Sequence, residues 1–244
     1  NVNPNIDPVR DLEIIEMEMK LADLESIQKR LDKKNKKNSS ESEINILETA
    51  LNCINKDLNI EETLHKNYSK KNLNQTGLLS TKPKLYVCNV DEKSISEGNK
   101  YTKSFINKFG EKNTILISAD IENQINQLEN EEKVNYMKMI NLKETGLNTL
   151  IKKGYKLLEL ETFFTSGPEE SRAWTIPINC TAPEAAGIIH TDFEKGFIRA
   201  ETVSYEEFIN NNGWLNSKNN GKMRLEGKDY IVKDGDILNF RFNT

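Results

Sequence analysis

The stretch KPKLYVCNVDE, Lys82–Glu92, carries an apolar run, Leu85-Tyr86-Val87-Cys88, that ends abruptly in Asn89-Val90-Asp91-Glu92. A short apolar run of this kind reads as a strand. A helical pattern follows in NKYTKSFINKFG, and a second buried strand in NTILISAD. Beyond it, IENQINQLENEEKVNYMKMINL and GLNTLIKKGYKLL read as helices. Strand, helix, strand, helix indicates an α/β unit with a parallel sheet. Two strands do not make a doubly wound sheet alone, so the segment reads as the back half of one.

Outward from this unit the pattern changes on both sides. From about Glu161 the chain shows short strands, ETFFTSG, SRAWTIPI, GFIRAETV, KMRLEGKDYIV and DILNFRF, with helices APEAAGIIH and YEEFINNNG among them. Gly167-Pro168 and Asp234-Gly235-Asp236 are turn signals. This is an α+β module. Upstream, IDPVRDLEIIEMEMKLADLESIQKRL opens with an Asp7 cap and Pro8 at the first helical position. Its Ile14, Met17, Leu21, Leu24 and Leu31 fall on a heptad seam, and Ile44, Leu47, Leu51, Ile54 and Leu58 form a second one. Two such stripes joined by a polar tip predict an antiparallel helical hairpin. The tip bears Lys33, Lys34, Lys36 and Lys37, which read either as a solvated turn or as an arm for phosphate.

The 244 residues carry a formal net charge of −4, which argues against a chain wholly devoted to coating nucleic acid. From Leu160 onward 9 Lys and Arg stand against 13 Asp and Glu. A local patch at Lys195, Arg199 and Arg224 remains a candidate RNA or ribosomal-protein contact. No apolar stretch approaches the roughly 18 residues of a membrane span, and NVNPNIDPVR has no apolar signal core. Cys53, Cys88 and Cys180 are widely spaced and form no CxxC, which fits a reducing, cytoplasmic setting without a zinc site or disulfide scaffold. His190, Asp192 and Glu194 stand close in HTDFEKGF, but a lone His beside a turn reads as a structural hydrogen-bonder. Phe193, Phe197 and Trp174 read as core. The absence of an initial Met marks the chain as processed or as a piece of something longer.

The two strand ends carry the chemistry. In P-loop guanine readers one strand ends in Asn-Lys-x-Asp, whose Asp accepts two bonds from the base, from N1–H and the 2-amino group. The next strand ends in Ser-Ala, whose backbone N–H supports the base. Here Asn89-Val90-Asp91-Glu92 ends the first strand and Ser118-Ala119 the second, with one helix between. Glu92 is one methylene longer than Asp and does not reproduce the same fork. Adenine has neither donor, and a carboxylate facing its N1 lone pair costs affinity unless it turns away. Guanine selection is therefore weakened and adenine becomes acceptable. The competing reading has Asp91 and Glu92 merely capping the following helix.

Long stretches then match one family. DPVRDLEIIEMEMKLADLESIQKRL, LLSTKPKLYVCNVDE, RAWTIPINCTAPEAAGIIHTDFEKGFIRAETVSYEEF and RLEGKDYIVKDGDILNFRFN resemble the C-terminal two-thirds of the YchF family, the Obg-like ATPases. The match covers almost all of the chain except the Asn/Lys-rich part at about 33–75. It implies that residues 1–8 close the first part of a P-loop G-domain and 9–75 form a coiled-coil insert. Residues 76–159 then form the second G-domain part, with the base-reading loops, and 160–244 a ubiquitin-like β-grasp TGS domain. It also implies a cytoplasmic, monomeric, ribosome-binding ATPase that prefers ATP to GTP and associates with ribosomal RNA or protein and with translation factors. One departure stands out. No G-x-x-x-x-G-K-[ST] and no D-x-x-G occurs in the 244 residues. Those parts hold the phosphates and Mg²⁺, and in the family they lie N-terminal to DPVRD. No catalytic residue or metal ligand is therefore assigned in this chain. The alternative is a non-catalytic fragment that docks on ribosomes or translation factors through its coiled coil and TGS domain.

Overall fold

The computed structural model describes residues 6–32 and 40–243. Lys33, Lys34, Lys36 and Lys37 lie outside the described residues. The chain divides into two units, up to residue 150 and from residue 151.

The first unit begins with α1 (Pro8–Asp32) and α2 (Glu41–Asn55). The Ser40 hydroxyl caps α2 by accepting the Glu43 N–H at 3.2 Å. Arg30 pairs with Glu43, and Lys20 lies 3.4 Å from Asp57. The start of α2 thus sits by the end of α1 and its far end by the middle of α1, so the two run antiparallel. Two further helices, α3 (Ile60–Asn67) and α4 (Lys70–Thr76), and a 3₁₀ turn (Leu79–Thr81) follow. Ile27, Ile46, Leu47, Ala50, Cys53, Ile60, Leu64, Leu73 and Leu78 form the shared core.

The heptad seam expected on α1 faces the core only in its C-terminal part, where Leu24 is half-buried and Leu31 packs against the core. Ile14, Met17 and Leu21 are 49%, 65% and 59% exposed, whereas Asp23 and Ile27 are buried. A polar residue occupies the inner face because it has work there. The Asp23 carboxylate accepts the N–H groups of Leu79 and Ser80 at 2.7 and 2.8 Å and the Ser80 hydroxyl at 2.6 Å. Periodicity marks an apolar stripe, but it does not see a carboxylate whose partners lie more than fifty residues away.

Next come β1 (Tyr86–Asn89), α5 (Lys100–Phe109) and β2 (Thr114–Ile117). The strands are parallel, in register from Tyr86↔Thr114 to Asn89↔Ile117. A capping box between Asn99 and Thr102 starts α5, and Gly110 (φ +88°) ends it. The long helical pattern after β2 is broken into α6 (Ala119–Gln127) and α7 (Asn130–Met139), the second capped by a Glu129–Glu132 box. At the start of α8 (Gly146–Leu158), the Glu122 carboxylate accepts the Gly146 N–H at 2.6 Å.

The second unit holds a mixed five-stranded sheet in the order β4-β3-β7-β5-β6. Its strands are β3 (Leu160–Ser166), β4 (Ser171–Pro177), β5 (Phe197–Ser204), β6 (Arg224–Glu226) and β7 (Asp236–Phe242). β3 and β7 are parallel and the other pairs antiparallel. The helices are α9 (Ala182–Ile189), α10 (Thr191–Lys195), α11 (Tyr205–Asn210) and α12 (Trp214–Asn219). Phe163, Ile176, Ala182, Ala186, Phe197, Ala200, Leu238 and Phe240 lie in its core, with Trp174 and Phe193 packed against them.

Candidate functional site

The parallel register brings the two predicted strand ends together. The Asn89 side chain crosses from the end of β1 to the end of β2, where its Oδ1 accepts the Ala119 N–H at 3.1 Å. Val90 is buried, and its N–H donates to the Ile117 carbonyl at 2.8 Å, which continues the ladder one residue past β1. Asn89, Val90, Ser118 and Ala119 therefore form one joined corner. The bond engages the Ala119 N–H and tethers the two loops to each other.

Asp91 and Glu92 part company. The Asp91 carboxylate caps a 3₁₀ turn (Glu92–Ser94) by accepting the Ser94 N–H at 2.9 Å. Glu92 caps nothing. Its Oε1 accepts the Gln124 side-chain amide at 2.7 Å, and the Gln124 carbonyl oxygen in turn accepts the Tyr136 hydroxyl. Sequence reading missed Gln124 and Tyr136, because polar residues on the outer faces of α6 and α7 give no local signal. Ser118 is 1% exposed, and its hydroxyl has no partner among the described residues.

A groove of about 550 Å³ flanks this corner along β1, lined among others by Tyr86, Cys88, Asn89, Asp91, Asn99 and Phe105. Burial pushes the Cys88 thiol up from its ordinary value. Among the described residues no group of three or more His, Cys, Asp or Glu is placed to hold a metal ion.

In the second unit the charged candidates separate. Lys195 and Arg199 are exposed. Arg224 is engaged: it reaches Glu226 at 2.9 Å, the Tyr230 hydroxyl at 2.9 Å and Asp236 at 3.5 Å. His190 caps α10, its Nδ1 accepting the Asp192 N–H at 3.2 Å. A wider groove of about 850 Å³, lined by Phe208, Trp214, Lys218, Asn239 and Arg241 among others, includes none of the predicted site residues.

Comparison with known proteins decides the family. The chain is 41% identical over 258 residues to the ribosome-binding ATPase YchF of Escherichia coli O157:H7, a match that takes in 100% of the chain and 69% of the relative. The chain belongs to the YchF family. The protein of the same name from Bacillus subtilis (strain 168) is 40% identical over 253 residues, with the same coverage. The family profile described as YchF-GTPase_C, protein of unknown function (DUF933), matches residues 160–243, and the chain corresponds to the C-terminal part of the family. Among solved structures, the Schizosaccharomyces pombe YchF GTPase superposes with a TM-score of 0.79 at 30% identity, covering 99% of this chain and 68% of that one. A GTP-binding protein from Pyrococcus horikoshii OT3 shares the fold, with a TM-score of 0.61 at 19% identity over 99% of this chain and 73% of that one. No helix among the described residues is long and apolar enough to cross a membrane.

Proposed function

We propose that this chain is the base-reading and docking part of a translation-associated, ribosome-binding ATPase that takes ATP in preference to GTP. The observation that carries the reading is the Asn89–Ala119 tether, which joins the ends of two parallel strands as a base-reading corner requires. Two parallel strands with Val87 48% exposed are too little sheet to stand alone, which supports reading β1 and β2 as part of a larger nucleotide-binding sheet. On this reading the phosphates and Mg²⁺ are held by a phosphate loop that the family carries N-terminal to the segment matching Asp7–Asp11. Glu92 stands where guanine readers have Asp.

The antiparallel pair α1 and α2 serves as the coiled-coil arm and the second unit as the TGS domain. The tip lysines and the exposed Lys195 and Arg199 are the contacts assigned to the ribosome. The protein acts in the cytoplasm as a monomer, with translation factors as further partners. The test is nucleotide affinity and turnover in the full-length protein, with Glu92→Asp compared against the parent. The expected result is a gain in GTP affinity relative to ATP. Unchanged affinity for both nucleotides would remove Glu92 from base reading, and ribosome pelleting without any nucleotide turnover would favour the docking fragment.

A further inference from the structure

Glu92 poses a problem of charge. A carboxylate turned to the edge of adenine meets the N1 lone pair, whereas turned to guanine it meets two donors. Its own side chain is flexible enough to do either. Something must hold it back if adenine is to be accepted, and the structure contains a device suited to that task. The Gln124 amide donates to Glu92 Oε1 at 2.7 Å from the second turn of α6. An amide can face a carboxylate with its NH₂ or, repulsively, with its oxygen. Tyr136 on α7 settles which, because its hydroxyl is hydrogen-bonded to Gln124 Oε1. With that oxygen occupied, the NH₂ faces Glu92.

We propose that Gln124, oriented by Tyr136, is a positioning residue that sets base preference by keeping the Glu92 carboxylate turned toward α6. The inference rests on reading Glu92 as the residue facing the base. It goes further in placing the selection outside the two strand-end motifs, on the second turn of α6. With Gln124 engaged, one carboxylate oxygen is committed and the guanine fork is incomplete. Without it, Glu92 is free to swing toward the base, where it accepts from guanine and repels the N1 lone pair of adenine. Asp91 is turned to a different task, its Oδ1 accepting the Ser94 N–H.

The test measures ATP and GTP affinity, with non-hydrolysable analogues and Mg²⁺, in the full-length protein. It compares the parent with Gln124→Met, Tyr136→Phe, Glu92→Ala and the double variant Glu92→Ala/Gln124→Met. Gln124→Met keeps chain length and helix propensity while deleting the amide. The ATP-to-GTP preference is expected to fall roughly three- to tenfold, the scale of one exposed charged hydrogen bond. Tyr136→Phe moves it the same way by less, and Gln124→Met has no effect once Glu92 is Ala. A preference that Gln124→Met leaves unchanged while Glu92→Ala shifts it would overturn the proposal and leave the base reading intact. An equal loss for both nucleotides would mean that Gln124 is only structural, and would also overturn it. If Glu92→Ala itself leaves the preference unchanged, the base reading fails and takes the proposal with it.

Discussion

Asn89 and Ala119 meet across the ends of two parallel strands, the Asn89 side-chain oxygen accepting the Ala119 N–H at 3.1 Å. The bond spans thirty residues of sequence and fixes the start of α6 against the end of β1. Both Asn89 and Ala119 are exposed, so the contact contributes about 1 kcal/mol to folding while determining where both loops point. Asn89→Ala is expected to lower nucleotide affinity in the full-length protein about tenfold, through loop misplacement, with the melting temperature lowered by only a few degrees. Calorimetric titration beside a thermal melt separates the two effects. A melt that collapses would make Asn89 a stability residue first.

Asp23 should matter more for folding than any apolar residue on the outer face of α1. Its carboxylate is 3% exposed and accepts three hydrogen bonds from Leu79 and Ser80. Asp23→Ala leaves two backbone N–H groups and a hydroxyl without partners and is expected to cost about 3 kcal/mol. Met17→Ala, at a position 65% exposed, is expected to cost less than about 0.5 kcal/mol. Urea unfolding of the two variants gives the comparison, and equal costs would mean that the seam read from periodicity is the one that counts.

Much of this architecture was legible in local signals. The strand ends at Asn89 and Ser118 and the longer strands of the second unit carry their own patterns. Turn residues mark their borders. The parts that were not legible depend on distant partners. The helices α3 and α4 are short and lie in an Asn/Lys-rich segment where composition masks periodicity, and their apolar contribution to the core comes from Ile60, Leu64 and Leu73. The break between α6 and α7 comes from a cap at Glu129 in a stretch that also reads as continuous helix. At the candidate site, Asn89 and Glu92 were found by motif. Gln124 and Tyr136 were not, because only the fold sets them beside Glu92.

Gly196 is held by a close approach of backbone to backbone. A Cβ at this position would lie 1.9 Å from the Asn243 carbonyl oxygen, while the Asn243 N–H donates to the Gly196 carbonyl at 2.9 Å. Gly196→Ala must therefore push the end of β7 off β5. The expected loss is about 2–4 kcal/mol, as for overpacking that backbone must relieve. Gly227→Ala is the control, since a Cβ there meets nothing within 4 Å. Denaturant midpoints of the two variants decide the matter, and a Gly196→Ala midpoint equal to that of the control would show that the C-terminal strand end yields freely.

Cys180 gives the second unit a dependence on alkaline pH. The residue is 6% exposed, and burial, with smaller contributions from the Glu184 and Glu194 charges, pushes its thiol up to about 11. The unfolded thiol ionises near its ordinary value, so between the two values the unfolded state loses a proton that the folded state keeps. Stability from this group is full below about pH 9 and is lost as pH rises through about 11, a difference of roughly 2 kcal/mol at most of the window. Tyr230 acts in the same direction at higher pH, its hydroxyl raised by burial and by the bond it donates to Asp236 at 2.6 Å. Cys180→Ala removes the first group and leaves the second. Urea unfolding at pH 8 and pH 10.5 is expected to show the variant less stable than the parent at the lower pH, with that gap shrinking by about 2 kcal/mol at the higher. A gap that stays constant between the two conditions would mean that the Cys180 thiol ionises alike in the folded and unfolded chains.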